Sequence, residues 1–249
     1  MSIQFDKVQP KNKMQLKQLV DYAFKHNIYD LNFIDTSEIT DMSLLFSNCM
    51  HNFDVSSWDV SNVTNMGCTF YKCNMFTGKG LENWDVSNVT NMYRMFTWCK
   101  IFNRNLSNWD VSNVENTGYM FYCCKNFDCN LSNWDVSNVT DMYSMFTACE
   151  NFKGKGIENW DVSKVEDMRY MFYNCKNFNC DLSNWDISKA LRINEMFYGC
   201  KNFEGKGLEN WKLEKTLFYY NIFTGCDKVK LPSWYKAFLK RCNLEFFQK

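Results

Sequence analysis

The sequence predicts an α/β solenoid, a stack of about eight units of 25 or 26 residues with a helical cap at each end. Each unit is expected to contain a strand, a turn and a short helix. Seven tryptophans from Trp58 to Trp211 predict the repeat, since they are separated by 26, 25, 25, 26, 25 and 26 residues. Eight cysteines recur in step with the tryptophans: Cys49, Cys73, Cys99, Cys124, Cys149, Cys175, Cys200 and Cys226.

One complete unit, residues 131–152, shows how each element follows from the pattern. Residues 131–136 read Leu-Ser-Asn-Trp-Asp-Val, and the last three alternate between apolar and polar side chains, which predicts a short strand. Residues 142–149 place two methionines, a phenylalanine and a cysteine on one face of a short helix. Ser-Asn at residues 137–138 provides the turn between them. A unit this small cannot bury its tryptophan alone, so we expect equivalent strands to stack in parallel.

The two ends of the chain depart from the repeat and predict helical caps. Residues 13–26 place apolar side chains at mostly helical spacing behind a possible N-cap, Asn12. Residues 232–240 predict a second amphipathic helix that begins with a proline. Two polar caps argue against end-to-end association, so we expect a monomer rather than an oligomer. The expected divisions are an N-terminal capping helix at residues 1–33, the repeat solenoid at residues 34–226 and a C-terminal capping helix at residues 227–249.

Composition and charge exclude several classes of partner. Lysine plus arginine number 28 and aspartate plus glutamate number 28, so no net positive charge attracts nucleic acid. No stretch approaches the roughly 18 apolar residues of a membrane span, and the first residues lack the apolar segment of a signal peptide. We therefore expect no nucleic-acid partner, no membrane span and a cytoplasmic location. Thirteen cysteines, an odd number spaced by the repeat, predict reduced thiols.

No arrangement of residues is typical of catalysis or metal binding. The two histidines, His26 and His51, have no partners at useful spacing, and no phosphate-binding or nucleophile motif occurs. Cys124 and Cys129 share a Cys-x4-Cys spacing, whereas a structural zinc site needs four convergent ligands. We therefore expect no enzyme, no catalytic residue, no metal and no cofactor. Cys129 and Cys180 lie in return loops and are expected to be more reactive than the repeated cysteines.

The candidate partner-binding residues are the aspartates that follow the repeated tryptophans. If the tryptophans point into the core, strand alternation places these carboxylates on the outer face of the sheet. Repeat proteins bind partners on such faces. A second and compatible interpretation is that each aspartate accepts hydrogen bonds from the Ser-Asn turn that follows it. The six residues are Asp59, Asp85, Asp110, Asp135, Asp161 and Asp186.

The repeated string resembles that of a known family. Trp-Asp-Val-Ser-Asn-Val-Thr-Asn-Met at residues 84–92 is followed by Met-Phe-x-x-Cys-x-x-Phe at residues 95–102, and variants recur over residues 34–226. This pattern resembles the BspA-like surface-protein repeats, which also occur in mycoplasma lipoproteins. The resemblance implies a leucine-rich-repeat-like solenoid with a role in adhesion or host contact at the cell surface.

Two functions from different classes are compatible with the sequence. The leading hypothesis is a protein-interaction or adhesin-like binding module that presents a polar parallel-sheet face to a protein or another macromolecule. The alternative is a structural building block of a larger assembly or particle. The two differ in what they predict for the purified protein, because a building block forms a regular oligomer and a lone binding module does not.

Overall fold

The structure, a computed structural model, describes residues 7–213 and 215–242. Within this part of the chain, two α-helices lie at the ends, α1 at Lys13–Lys25 and α2 at Ser233–Arg241. Two short 3₁₀ helices lie between them, at Leu81–Asn83 and Leu208–Asn210. Turns and extended segments, joined by isolated parallel bridges, make up the rest of the described residues. The repeat units are therefore built without regular α-helices or long strands.

Successive units lie in register, and we number them 1 to 8 by the repeated cysteines, from Cys49 to Cys226. Contacts between equivalent positions of neighbouring units support a solenoid, which we propose as the architecture. One parallel bridge joins each unit to the next, just before the segment that was expected to be helical. The bridged residues are Asp41, Asn65, Asn91, Asn116, Asp141, Asp167, Arg192 and Phe218, each paired with the next in this order.

The segment expected to be a short helix forms what we call the turn ladder, residues 142–149 in unit 5 and their equivalents elsewhere. The amides of every second residue from Met145 to Cys149 bond to the carbonyl three residues earlier, at 2.9–3.2 Å. The amides of every second residue from Met142 to Ala148 donate to unit 6 instead, at 2.7–3.0 Å. Ser144 and Ala148 have φ angles of 54° and 58°, which a right-handed helix does not contain. The expected helix is absent because half of its amides bind the neighbouring unit.

The strand expected at residues 131–136 is also not formed. Trp134 and Val136 are buried and Asp135 between them is exposed, so the alternation of inward and outward side chains is confirmed. The bridge of unit 5, however, lies at Asp141. Units therefore pair further along the chain than the apolar pattern predicts.

The core consists of columns of equivalent side chains, one from each unit. The ring of Phe146 stacks on the phenylalanines of units 4 and 6, with centroids 5.6 and 5.8 Å apart. Each repeated tryptophan donates its indole N–H to a carbonyl of the preceding unit, as Trp134 does to Leu106 at 2.9 Å. Trp234 lies outside the sequence period, yet it extends this column from α2 by donating to Leu208 at 2.8 Å. Stacked rings and buried hydrogen bonds together hold one unit to the next.

The repeated cysteines form a further column with a specific polar contact. The thiol of Cys149 donates to the carbonyl oxygen of Phe121 in unit 4 at 2.9 Å, and the same contact recurs in units 2 to 8. All thirteen cysteines occur as free thiols. Burial raises the pKa of Cys129 to about 11 and that of Cys180 to about 12. Both loop cysteines are buried, so their loop positions do not expose them. Their reactivity relative to the repeated cysteines stays a prediction.

Both caps pack against the core, although apolar side chains are exposed at both ends of the stack. Asn12 is confirmed as the N-cap of α1, because its side chain accepts the amide of Gln15 at 3.0 Å. The apolar faces of α1 and α2 are buried at the first and last units. At the two ends, however, Met14 is 66% exposed and Leu217 is 68% exposed. Exposed apolar side chains at both ends weaken the expectation that polar caps prevent end-to-end contact.

Candidate binding surfaces

The six predicted aspartates are exposed and occupy equivalent positions in units 2 to 7. In each, the Oδ1 atom accepts the amide of the serine two residues later, at 2.9–3.1 Å. Asp135, for example, binds the amide of Ser137 at 3.0 Å. Hydrogen bonds from the side chain and the amide of Ser112 lower the pKa of Asp110. We call this set the aspartate column.

The asparagine of the same string joins one unit to the next. Asn138 donates its side-chain amide to the carbonyl of Ser112 in unit 4 at 2.8 Å, and three equivalent asparagines do so at 2.7–2.8 Å. The Asp-Val-Ser-Asn string is therefore used for turns and stacking without any partner. This geometry supports the turn interpretation of the aspartates, while their role in docking stays a prediction.

A second surface, absent from the sequence-based predictions, lies on the outside of the turn ladder. Its positions are the variable ones in the string Met-x-x-Met-Phe-x-x-Cys, and the recurrence of tyrosine there was the available signal. The rings are half-buried and contact one another, as Tyr143 does with Tyr119 at 4.9 Å and with Tyr170 at 5.6 Å between centroids. We call this surface the tyrosine face: Tyr93, Tyr119, Tyr122, Tyr143, Tyr170, Tyr173 and Tyr198.

Two arginines lie over rings of the tyrosine face. The guanidinium of Arg94 is 4.6 Å from the ring centroid of Tyr119, and that of Arg169 is 4.7 Å from the centroid of Tyr143. Arg169 also forms an ion pair with Asp167 at 2.6 Å. No ion pair of Arg94 occurs within residues 7–213 and 215–242. Cation–π contacts of this kind restrict both the ring and the guanidinium, so the face is partly ordered before any partner binds.

The tyrosine face contains a cavity at unit 5, which we call the tyrosine notch. Unit 5 carries Ser144 and Thr147 at the positions where units 4 and 6 both carry tyrosines. The space left by these small side chains has a volume of about 260 Å³. Tyr119 and Tyr122 form one wall, and Tyr170 and Tyr173 form the other.

One acidic side chain lines the tyrosine notch, Glu195 of unit 7. Its carboxylate is half-buried and makes no hydrogen bond or ion pair with the other described residues. Burial raises the pKa of Glu195. Burial also raises the pKa of Tyr170, and the negative charge of Glu195 adds to this effect. A partly desolvated carboxylate without a partner is a place where added positive charge is favourable.

Two kinds of site are not found in the described part of the chain. No group of histidine, cysteine, aspartate and glutamate side chains there is arranged to hold a metal ion. Of the helices in the same residues, none is long and apolar enough to cross a membrane.

Comparison with known proteins gives a family match. A family model described as "Mycoplasma protein of unknown function, DUF285" matches residues 14–133 and again residues 120–234, which confirms a repeat protein. No curated protein matches the sequence significantly. A solved structure titled "Crystal structure of TLR13-ssRNA13 complex" aligns at 11% identity over 89% of this chain and 41% of its own, with a TM-score of 0.17. This chain thus spans less than half of that one, and so low a score carries no argument about fold.

Proposed function

This chain belongs to the Mycoplasma protein family of unknown function DUF285, and we propose that it is a binding module whose tyrosine face contacts a protein or another macromolecule. The distribution of variable residues supports the proposal. Positions that repeat from unit to unit are buried or hold turns together. Positions that vary in the turn ladder carry the half-buried rings of the tyrosine face.

The chemistry of the tyrosine face suits binding. Tyrosine and arginine are enriched at protein interfaces, because each offers a large contact area together with hydrogen-bond donors. Tyr173 is already stacked on Tyr198, with centroids 4.7 Å apart and planes 7° from parallel. Rings that are ordered in advance lose little side-chain entropy when a partner binds.

We further propose that the partner lies on a cell surface, so that the module is adhesin-like. This finer part rests on the resemblance of residues 84–102 to the BspA-like repeats. The proposed contact surface differs from the polar parallel-sheet face expected from the sequence, because the described residues contain isolated bridges rather than extended strands. The proposed role is binding and not catalysis.

Matched substitutions on the two surfaces test which of them binds. Replacing Tyr122 and Tyr173 with serine removes two half-exposed rings. Replacing Asp110 and Asp161 with asparagine removes charge from the aspartate column but keeps an oxygen that accepts the turn amide. The measurement is saturation binding of fluorescently labelled protein to cultured epithelial cells. We expect the tyrosine variant to bind at least about tenfold more weakly and the aspartate variant to bind like the wild type.

Two outcomes would contradict this proposal. Binding that survives the tyrosine substitutions and is lost with the aspartate substitutions would assign the contact to the aspartate column. Absence of saturable cell binding by the folded wild-type protein would remove the adhesin-like part. Circular dichroism of every variant shows whether each loss occurs in a folded protein.

A structural building block is a second candidate function, favoured by the exposed apolar side chains at the ends of the stack. On unit 1 Leu44 is 55% exposed, and on unit 8 Phe218 is 49% exposed. Apolar surfaces at both ends allow copies to associate head to tail. Light scattering over a range of concentrations tests this, and a monomer at the highest concentration would exclude it. The substitutions Leu44→Lys and Phe218→Lys should abolish any oligomer that forms through these ends.

A further inference from the structure

The tyrosine notch lies where unit 5 carries small side chains between two units that carry tyrosines. At the position of Thr147, units 4, 6 and 7 carry Tyr122, Tyr173 and Tyr198. The position of Ser144 is likewise a tyrosine in units 4 and 6. Unit 3 also carries a threonine, Thr97, at the first position, but an arginine, Arg94, at the second. In unit 5 both side chains are small, and they leave a space between two aromatic walls.

We propose that the tyrosine notch binds an organic cation, namely a quaternary ammonium or alkylated amine group. The inference rests on the binding role proposed above and names the chemistry that the tyrosine face recognises. The face of an aromatic ring carries partial negative charge and attracts cations whose centre lies within about 6 Å of the ring. Quaternary ammonium groups are bound in this way because they cannot donate hydrogen bonds and are weakly hydrated.

The spacing of the walls fits such a group. The walls belong to units 4 and 6, so their backbones are separated by two unit spacings, about 10 Å if units stack like parallel strands. A cation centred between the rings of Tyr122 and Tyr173 then lies about 5 Å from each, within the range of attraction. The cavity volume of about 260 Å³ is slightly below the about 300–1,000 Å³ of pockets that enclose whole drug-sized ligands. The notch therefore suits one head group or one side chain.

The charges around the notch favour a cation over a neutral or anionic group. Glu195 lines the cavity, and no basic group within the described residues neutralises it. Arg169 and Arg192 both form ion pairs with Asp167, at 2.6 and 3.8 Å, and neither arginine lines the cavity. Arg94 belongs to unit 3, contacts the ring of Tyr119 and does not line the cavity. A bound cation would give the unpaired carboxylate that lines the cavity a partner of opposite charge.

Choline and 3,3-dimethylbutan-1-ol separate the effect of charge from that of shape, because they have nearly the same shape and only choline is charged. Titration calorimetry on the full chain measures both affinities. Thr147→Tyr fills the notch with the ring that neighbouring units carry, so the unit should still fold. Glu195→Gln removes the negative charge. Glu166→Gln is the matched control, an exposed carboxylate of unit 6 outside the notch.

We expect choline to bind at least about tenfold more tightly than the neutral analogue, which corresponds to about 1.4 kcal/mol. Thr147→Tyr should abolish choline binding, and Glu195→Gln should weaken it at least about fivefold, a partial loss because the rings remain. Glu166→Gln should leave it unchanged. Equal affinity for the two probes, or choline binding that persists in Thr147→Tyr, would overturn the inference. So would the absence of heat from choline with wild-type protein whose thermal melt is intact.

The cationic group has two possible sources, a methylated lysine side chain of a protein and the choline head of a lipid. Nα-acetyl-trimethyllysine amide in the calorimeter and flotation with phosphatidylcholine vesicles distinguish them, and binding of either supports the site. The cell-binding assay separates this inference from the proposed function. Cell binding that requires Tyr122 and Tyr173, together with no choline binding, would refute the cation site alone. Choline binding without any cell binding would refute the proposed function alone.

Discussion

Replacing Ala148 with glycine distinguishes the turn ladder from the helix that the sequence spacing predicts. Ala148 has a φ of 58°, a left-handed conformation that costs a residue with a Cβ roughly 1–2 kcal/mol. Glycine removes this cost, but it also gives the unfolded chain extra freedom worth about 0.4–1 kcal/mol. We therefore expect the variant to be as stable as the wild type or up to about 1.5 kcal/mol more stable. In a helix interior the same change would lose about 1 kcal/mol.

The control is the reverse change at the same position of unit 8, Gly225→Ala. Gly225 has a φ of 72°, and an added Cβ would come no closer than 3.4 Å to its nearest neighbour, the Cα of Gly199. Only the left-handed cost then opposes the substitution, so we expect a loss of about 0.5–1.5 kcal/mol. Thermal unfolding followed by circular dichroism measures both, at about 2–4 °C per kcal/mol for a chain of this length. A loss near 1 kcal/mol at Ala148→Gly, or no loss at Gly225→Ala, would refute the turn ladder.

Three further predictions concern the core, the thiols and acid stability. Trp134→Ala should lower the free energy of unfolding, measured in urea, by about 3–5 kcal/mol, because it leaves a cavity and removes a hydrogen bond. Trp211→Ala, near the end of the stack, should lower it less, and equal small losses would argue against the tryptophan column. Cys242 is the exposed cysteine among the thirteen and should react with a maleimide in the native state well before Cys129, because burial raises the pKa of Cys129 to about 11. Similar reaction rates would contradict the burial of Cys129. Hydrogen bonds from Lys206 and Ser183 lower the pKa of Asp181 to about 2, so its stabilising contribution should be complete above pH about 4 and be lost towards pH 2. In Asp181→Asn the melting temperature should therefore change less between pH about 4 and pH 2 than in the wild type.

The repeat and the core could be predicted because they depend on properties that each residue carries alone. Trp134 and Phe146 recur at a fixed period, and a large apolar side chain at a fixed period is buried in any stacked architecture. Asn12 was identifiable as an N-cap because capping depends on local chain geometry. In each case the physical cause lies within a few residues of the position or in its hydrophobicity.

The local structure of the turn ladder could not be predicted from the same residues. Apolar positions 142, 145, 146 and 149 are spaced as on a helix, and they are spaced equally well for successive turns that bond three residues back. The difference lies in Ser144 and Ala148, whose left-handed conformations are imposed by hydrogen bonds to unit 6. Neither residue type favours that conformation, so these two residues give no signal of it. The signal lies at the Ala148 position of other units, where Asn48, Asn174, Gly199 and Gly225 have positive φ.

The candidate site was predicted only in part, and for a related reason. Asp135 was correctly placed outside the core, since alternation with Trp134 and Val136 fixes its direction. Whether its carboxylate serves a turn or a partner depends on the position of Ser137, which the structure supplies. The tyrosine notch depends on Thr147 being small while its neighbours in adjacent units are large. That contrast becomes a cavity only when the units are known to stack in register.

The separation of repeated and variable residues has a physical basis that bears on function. Cys149 and Trp134 each donate a hydrogen bond to a carbonyl of unit 4, and Asn138 does the same from the surface. Replacing any of them leaves a polar group of the neighbouring unit without its partner, and for the buried pairs this cost is high. At the positions of Ser144 and Thr147 the backbone makes contacts between units whatever the side chain, and units 4 and 6 carry tyrosines there. The hydroxyl of Thr147 adds one hydrogen bond, to the carbonyl of Tyr170 in unit 6. A surface built on such positions can acquire a cavity or a charge without loss of the fold, and the tyrosine notch with Glu195 has both.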